Sequence, residues 1–404
     1  MKPRRPTVHI ADKPTVYVDT LQKLEELAAQ LRAVSRVAFD TEFLREVQYW
    51  PQLELVQLAT DELLAVVDYR AVPTLEPLVE ILTDESILKV AHAARQDLEI
   101  IYHLTRRVPR PLFDTQVAAA LVGLGGQVGY ANLVERVLGV PLKKSQTLTN
   151  WAQRPLTEAQ FAYALDDVRY LLPLHDELAP QLAALKREAW FAREMEHLAE
   201  PRRYALVDPQ EAWRNVKGAS TLTPSDLAVL QAVAAWRERV ARAHNRALPL
   251  ILRDEALLAI ARRKPRSKSA LRRIRGVHQW TLAHLADELL EVVQKAASLP
   301  REQWPRYERG RRPLTEDEQA LVRLMAAWVR VRAQEKQVDP SLLATEDDLA
   351  RLLLAYEEGK HERQPLLQDW RRDVVGAELL ALLEGRAALR WDQHQGRFVL
   401  VEMG

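Results

Sequence analysis

Hydrophobic and polar positions alternate with two different periods over the first 200 residues and with a single period afterwards. Segments 37–40, 53–59 and 63–67 are short apolar runs that predict three successive strands, with Asp61-Glu62 turning between the last two. Segment 74–82 has helical spacing, 87–91 reads as a buried strand, and 97–104 returns to helix. Leu112-Phe113 predicts a short strand leading into a helix at 115–122, and a long helical stretch runs from Thr157 to about His197. Neighbouring strands followed by strand–helix alternation describe an α/β fold, a mixed sheet flanked by helices.

From about Asp208 the pattern is helical throughout. Pro209 and the start signal Thr223-Pro224-Ser225 open amphipathic runs such as 227–240. A stretch rich in Pro and Arg, 299–313, reads as a linker, and Leu314-Thr315-Glu316 begins a second helical block. The two blocks resemble each other. Trp236-Arg237-Glu238-Arg239-Val240 is matched by Trp328-Val329-Arg330-Val331-Arg332, and Pro249-Leu250-Ile251-Leu252 loosely by Pro340-Ser341-Leu342-Leu343, at an offset of about 91 residues. Segments 389–392 and 397–401 flank Gln395-Gly396 and predict a closing hairpin.

A chain of 404 residues with this apolar and charged content is an ordinary globular protein of two to four domains. It contains no Cys, which excludes disulfides and thiolate metal sites. The N-terminus, Met1-Lys2-Pro3-Arg4-Arg5-Pro6, lacks the apolar core of a signal peptide, and no run is long enough to span a membrane. A soluble, cytoplasmic protein is expected. The net charge of +1 hides an asymmetry, because residues 202–312 hold 23 basic against 11 acidic side chains. The densest part contains Arg262, Arg263, Lys264, Arg266 and Lys268, then Arg272, Arg273 and Arg275, an electrostatic handle for a polyanion or else a solvated basic face.

Asp40 and Glu42 carry the chemistry. They end the strand Val37-Ala38-Phe39, and residues i and i+2 share one strand face, so two carboxylates point the same way. Such a pair repels itself unless a cation neutralises it; the alternative is a strand running into a solvated turn. Asp97 opens a helix directly after the strand at 87–91, where open α/β sheets bind ligands. Tyr163 and Asp167 stand i, i+4 on one helix face, with Asp166 about 100° away and turned to solvent. Alone, each reads as a helix cap or as packing. Together they form an oxygen-only set of four carboxylates and one phenol, suited to Mg²⁺ or Mn²⁺ rather than Zn²⁺. Two such ions about 4 Å apart stabilise the attacking and leaving oxygens of a phosphoryl displacement.

These residues lie in segments that resemble a known family. Phe39-Asp40-Thr41-Glu42-Phe43-Leu44-Arg45-Glu46 is similar to the first exonuclease motif of the ribonuclease D family, and His92-Ala93-Ala94-Arg95-Gln96-Asp97-Leu98-Glu99 to the second. Tyr163-Ala164-Leu165-Asp166-Asp167-Val168 resembles the third in its tyrosine-bearing form. Phe113-Asp114-Thr115-Gln116 and Trp151-Ala152-Gln153-Arg154-Pro155-Leu156 fit as well, although Thr149-Asn150 stands where a Ser-Asp pair is expected. The resemblance implies a ribonuclease H-like exonuclease domain over 1–205, a first HRDC (helicase and RNase D C-terminal) domain over 206–297, a linker over 298–313 and a divergent HRDC-like domain over 314–404. It implies a two-metal 3′-to-5′ exoribonuclease that releases nucleoside 5′-monophosphates from structured RNAs such as tRNA precursors. Asp40, Glu42, Asp97 and Asp167 would be its metal ligands and Tyr163 the residue aiming the water. A monomer without an obligate protein partner is expected. The same chemistry on single-stranded DNA, or a non-catalytic RNA-binding scaffold, are the alternatives.

Further residues have two readings each. Asp114 either supports the site or caps the helix at Thr115. Gly123, Gly125, Gly126 and Gly129 lack the order of a phosphate loop and read as a turn. Trp236 and Trp328 read as helix-packing residues. Phe43 and Leu44, just past Glu42, are candidates for wedging against terminal bases, and Arg262, Arg263, Lys264, Arg266 and Lys268 for phosphate contacts.

Overall fold

Six strands build the sheet, one more than the apolar runs predict. The computed structural model describes residues 13–45, 47–142, 149–305 and 314–403; the basic N-terminal segment, Glu46 of the first motif and the predicted linker residues 306–313 lie outside the described residues. The chain forms two units, Met1–Glu42 with Glu54–Tyr204 and Pro313–Gly404, and Phe43–Leu53 with Ala205–Arg312.

The first unit opens with β1 (Thr15–Val18) and α1 (Leu21–Leu31), whose N-terminus is capped by the Thr20 side chain. β2 (Arg36–Leu44), β3 (Gln52–Ala59) and β4 (Leu64–Asp68) follow, then α2 (Glu76–Thr83), β5 (Leu88–Ala91), α3 (Arg95–Thr105) and β6 (Leu112–Asp114). The spatial order is β1-β4-β3-β2-β5-β6. β3 runs antiparallel to β4, whereas β1–β4, β2–β5 and β5–β6 are parallel. β3 and β4 are buried almost throughout, as strands covered on both faces must be; β4 is apolar up to Asp68, whereas β3 also buries Glu54 and Gln57. Helices α4 (Thr115–Leu121), α5 (Tyr130–Leu138), α6 (Glu158–Arg169), α7 (Leu171–Ala184) and α8 (Glu188–Leu198) complete this part. The single stretch predicted from Thr157 to His197 is thus three helices. Tyr170 separates the first two, and Lys186, in the left-handed region at φ 56°, turns the chain before α8.

The second unit is helical: α9 (Pro224–Ala243), α10 (Asp254–Arg263), α11 (Lys268–Arg272), α12 (Gln279–His284) and α13 (Ala286–Ala297). Its core gathers Trp213, Leu230, Val233, Trp236, Leu257, Ile260, Leu289 and Val293. The buried Trp236 ring donates its Nε1–H to Glu288 at 2.8 Å. The loop between β2 and β3 belongs to this unit. Tyr49 packs on its core and donates its hydroxyl to Glu238, which Arg242 also engages at 2.8 Å; Asn245 Oδ1 accepts from Trp50 N at 2.9 Å.

The chain then returns to the first unit with α14 (Glu316–Lys336), α15 (Pro340–Leu343), α16 (Glu346–Glu357), α17 (Asp369–Arg371), a π-helical turn at Arg372–Gly376 and α18 (Ala377–Leu383). The predicted hairpin is present as β7 (Ala387–Asp392) and β8 (Arg397–Glu402). Trp328 donates to Glu378 at 2.9 Å, the same tryptophan–glutamate bond that Trp236 makes in the other block. Both tryptophans are core residues, as the sequence suggests.

Despite that likeness, this block is fastened to the helices that flank the sheet. Arg187, buried before α8, donates to the Leu121, Lys336 and Gln337 carbonyls. Asp339 accepts from Gly126 N at 2.7 Å, and a Cβ at Gly126 would run into the same carboxylate, so glycine is required there for close approach rather than for a loose turn. Glu194 on α8 receives Arg371 through both oxygens, at 2.7 and 3.0 Å, and Trp370 Nε1 at 3.0 Å. Arg187→Met leaves three carbonyls without that donor. It is expected to lower unfolding stability by about 2 kcal/mol, read as a shift in denaturant midpoint with an unchanged slope.

Candidate active site

β2 and β5 run parallel through Arg36–Leu88, Val37–Lys89 and Ala38–Val90, so the chain leaves both strands toward the same end of the sheet. Two residues beyond Ala38, Asp40 enters the site, and Glu42 follows on the same face. α3 begins shortly after β5 and places Asp97 in its first turn, two residues in rather than at the very start. α6 contributes Tyr163 and Asp167 from one face. The structure brings oxygens of Asp40, Glu42 and Asp167 within 4.8 Å of one another. Asp97 stands beside this triad, buried, with its Oδ1 receiving the Thr41 hydroxyl.

Each segment is held by specific bonds. Asp114 ends β6, caps α4 by accepting from Gln116 N at 2.8 Å and Val117 N at 3.2 Å, and also accepts from Ala93 N at 3.2 Å and Ala94 N at 2.9 Å. The cap foreseen for Asp114 is there, and the same carboxylate fixes the turn between β5 and α3, where Ala93 has φ 55°. His92 spans Thr115 Oγ1 at 2.9 Å and the Val128 carbonyl at 3.1 Å. A capping box of Thr157 and Gln160 starts α6. Where α6 gives way to α7, the Tyr130 hydroxyl donates to Asp166 O at 2.9 Å and accepts from Tyr170 N at 3.2 Å, so the backbone next to Asp167 is bonded on both sides. Asp166 itself turns outward to Arg169 at 2.9 Å, as its angular position predicts.

The electrostatics follow from burial and crowding. Burial pushes Asp40 well above the usual carboxylate range, and the charges of Asp97, Asp167 and Glu42 push it further. Glu42 is pushed up to about 8 by burial, then by Asp167 and Asp97. Burial also raises Asp97 to about 7 and Asp167 to about 7, Asp166 adding to the latter. Among the described residues no Lys or Arg forms an ion pair with any of the four. An oxygen-only donor set, preassembled and uncompensated by basic side chains, fits a hard divalent cation.

Sequence reasoning passed over Thr41, His92 and Tyr130 as supports. Thr41 lies inside the first motif, but nothing local in the sequence identifies Tyr130, whose partners are 36 and 40 residues away. Phe43 and Leu44 finish β2 and are half-buried. The basic run is in the second unit, and its members differ. Arg262 donates to Thr221 at 2.8 Å, Lys264 to Ser225 at 2.7 Å and Asp226 at 2.9 Å, and Lys268 to Asp287 at 2.7 Å. Arg263, Arg266, Arg272, Arg273 and Arg275 are exposed and have no side-chain partner among the described residues.

Comparison with known proteins identifies the family. A 3′-5′ exonuclease family matches residues 15–183 and the HRDC domain family residues 226–293. The chain is 38% identical over 383 residues to ribonuclease D of Zymomonas mobilis, covering 94% of this chain and 96% of that one. It is 41% identical over 382 residues to ribonuclease D of Gluconacetobacter diazotrophicus, covering 93% and 95%. The crystal structure of Escherichia coli RNase D, an exoribonuclease involved in structured RNA processing, superposes with a TM-score of 0.83 at 32% identity, over 93% of this chain and 99% of that one. The catalytic core of RRP6 from Trypanosoma brucei gives 0.60 at 25% identity, over 74% and 84%. The chain belongs to the ribonuclease D family of 3′-to-5′ exoribonucleases.

Proposed function

We propose that Asp40, Glu42, Asp97 and Asp167 hold two divalent cations, Mg²⁺ or Mn²⁺, and that Tyr163 positions the water that cuts the terminal phosphodiester of a structured RNA. The observation that carries this reading is the convergence of three carboxylate oxygens, from β2 and α6, within 4.8 Å. Cations held by these residues would lower the pKa of a water and offset charge on the departing oxygen. The protein's own residues do the rest. The four carboxylates fix where that charge can sit, and the buried Asp97, bonded to Thr41, keeps α3 against β2. Tyr163, one helical turn before Asp167, orients the attacking water by a hydrogen bond. The water oxygen bonds to phosphorus and the P–O3′ bond breaks. A nucleoside 5′-monophosphate leaves, and the shortened chain keeps a new 3′-hydroxyl.

The substrate reading follows the Escherichia coli relative's role in structured RNA processing, tRNA precursors being the natural candidates. No helix among the described residues is long and apolar enough to cross a membrane, which agrees with a cytoplasmic role; a monomer is the proposed state. Phe43 and Leu44 are proposed to wedge against the terminal bases. For phosphate contacts, the partner-free Arg263 and Arg266 are the stronger members of the predicted set. Arg262, Lys264 and Lys268 spend part of their donor capacity within the protein.

Asp40→Ala, Asp97→Ala and Asp167→Ala are each expected to lower kcat on a 5′-labelled tRNA precursor by about 1,000-fold or more. Mononucleotide steps should disappear from the gel, and EDTA should do the same to the unsubstituted enzyme. Wild-type digestion by Asp97→Ala overturns the assignment, and equal rates on matched DNA overturn the RNA preference.

The raised carboxylates also set a pH dependence for the metal-free protein. Their folded-state pKa values lie above the unfolded ones, so between about pH 4 and pH 8 the folded state binds more protons and stability falls as pH rises. In EDTA the melting temperature is expected to drop by roughly 5 °C between pH 5 and pH 8. Asp40→Asn should flatten that slope, and Mg²⁺ should restore stability at pH 8. Calorimetry across the range reads all three.

For the basic run, alanine at Arg263 and Arg266 together is expected to reduce the slope of log affinity against log salt by about 1–2 units, through fewer released counterions. Lys268→Ala, which removes a cation already paired with Asp287, should change the slope less. Fluorescence anisotropy with labelled RNA at several salt concentrations makes the comparison.

A further inference from the structure

Thr149 to Arg154, between the sheet and α6, is fastened in a way the hydrolytic chemistry does not require by itself. Asp68 is buried at the end of β4. Its carboxylate accepts from the Tyr17 hydroxyl at 2.6 Å, from Arg70 N at 3.1 Å, and from Arg154 through Nε and, at 2.7 Å, through Nη2. Arg154 in turn donates to the carbonyls of Trp151 at 2.6 Å, Gln153 at 2.9 Å and Glu54 at 3.3 Å. Arg70 reaches the Ala152 carbonyl at 3.0 Å. From the other side, Gln160 of α6 donates to Thr149 Oγ1 at 3.1 Å and to Asn150 O at 3.2 Å. Asn150, at the position where the family pattern expects an acid, accepts from Ala152 N at 3.0 Å. Three carbonyls in succession, at 151, 152 and 153, are therefore each bonded to a guanidinium.

The side chain this scaffold presents is Trp151. It is 4% exposed, and its ring lies 6.0 Å from that of Tyr163, centroid to centroid, at an interplanar angle of 42°. A second aromatic contact, Tyr17 to Phe161 at 6.0 Å, ties the Asp68 partner to the same helix, two residues before Tyr163. Fixing a short irregular segment with two arginines, one of them engaging a buried carboxylate through two nitrogens, gives a rigid backing instead of a mobile loop.

We propose that Trp151, held by the Arg154–Asp68 pair, is a positioning residue for Tyr163, fixing the phenol that orients the attacking water. This rests on the role assigned to Tyr163 above and adds residues to that site. A reaction that depends on water placement loses rate when its aligning group is displaced, even though binding of the RNA is preserved. A residue that merely stabilises the fold would not show that split.

The test is a kinetic cycle on the full chain in Mg²⁺ with a 5′-labelled single-stranded oligoribonucleotide. Trp151→Leu is expected to lower kcat about 10-fold with KM within about twofold, whereas Trp151→Phe, which keeps an aromatic face, retains most of kcat. In a Tyr163→Phe background, Trp151→Leu should lower kcat by less than about twofold, because residues acting as one unit are not additive. Equal loss in both backgrounds, or no loss in either, overturns the proposal. A Tyr163→Phe enzyme with wild-type kcat instead overturns the tyrosine's own role, a separate result. Arg154→Gln repeats the cycle without emptying the tryptophan site, and the same epistasis with Tyr163→Phe is expected. Circular dichroism and melting temperature establish that each variant compared is folded.

Discussion

Mutual repulsion among crowded carboxylates, one buried and three half-buried, is the constraint around which the first unit is arranged. Asp40, Glu42, Asp97 and Asp167 are drawn from three elements and desolvated together, so each raises the cost of ionising the others. A free chain would relieve this by moving them apart. The fold prevents it with neutral bonds, to backbone groups and hydroxyls, that add no compensating cation. Asp114 holds the turn before α3, Tyr130 holds the backbone beside Asp167, and Thr157 with Gln160 fixes where α6 starts. No basic side chain among the described residues offsets that charge, so the arrangement suits a hard divalent cation and is not a salt-bridge cluster.

Much of this was legible in the sequence, because the signals are local. The two-residue period of β2 is enough to put Asp40 and Glu42 on one face, and the i, i+4 spacing does the same for Tyr163 and Asp167. What was not legible depends on partners far along the chain. β1 escaped because Thr15–Val18 is only four residues long and is completed by pairing with β4; α1 was passed over although Leu24, Leu27, Ala28 and Leu31 carry helical spacing behind a Thr20 cap. Asp114 reads locally as a helix cap, and its bonds to Ala93 and Ala94 emerge only when β5 and β6 lie side by side. In the basic run every cation looks equivalent until Asp226 and Asp287 arrive beside Lys264 and Lys268.

The two helical blocks show how one packing solution serves different surroundings. Each buries a tryptophan on its long helix and satisfies the indole N–H with a glutamate from a later one. The HRDC family matches the first block. In the second, the C-terminal end of α14 is occupied by Arg187, and the segment beginning α17 meets Glu194. Part of its surface is thus committed to contacts within the chain, which the first block does not share.

The β2–β3 loop makes the boundary between the units non-linear. Phe43 to Leu53 interrupts the exonuclease sequence, yet Tyr49 and Trp50 find their partners at Glu238, Arg242 and Asn245. A fragment trimmed after residue 204 would retain Asp40, Glu42, Asp97 and Asp167 while leaving the Tyr49 and Trp50 rings stripped of their cover, an invitation to aggregation.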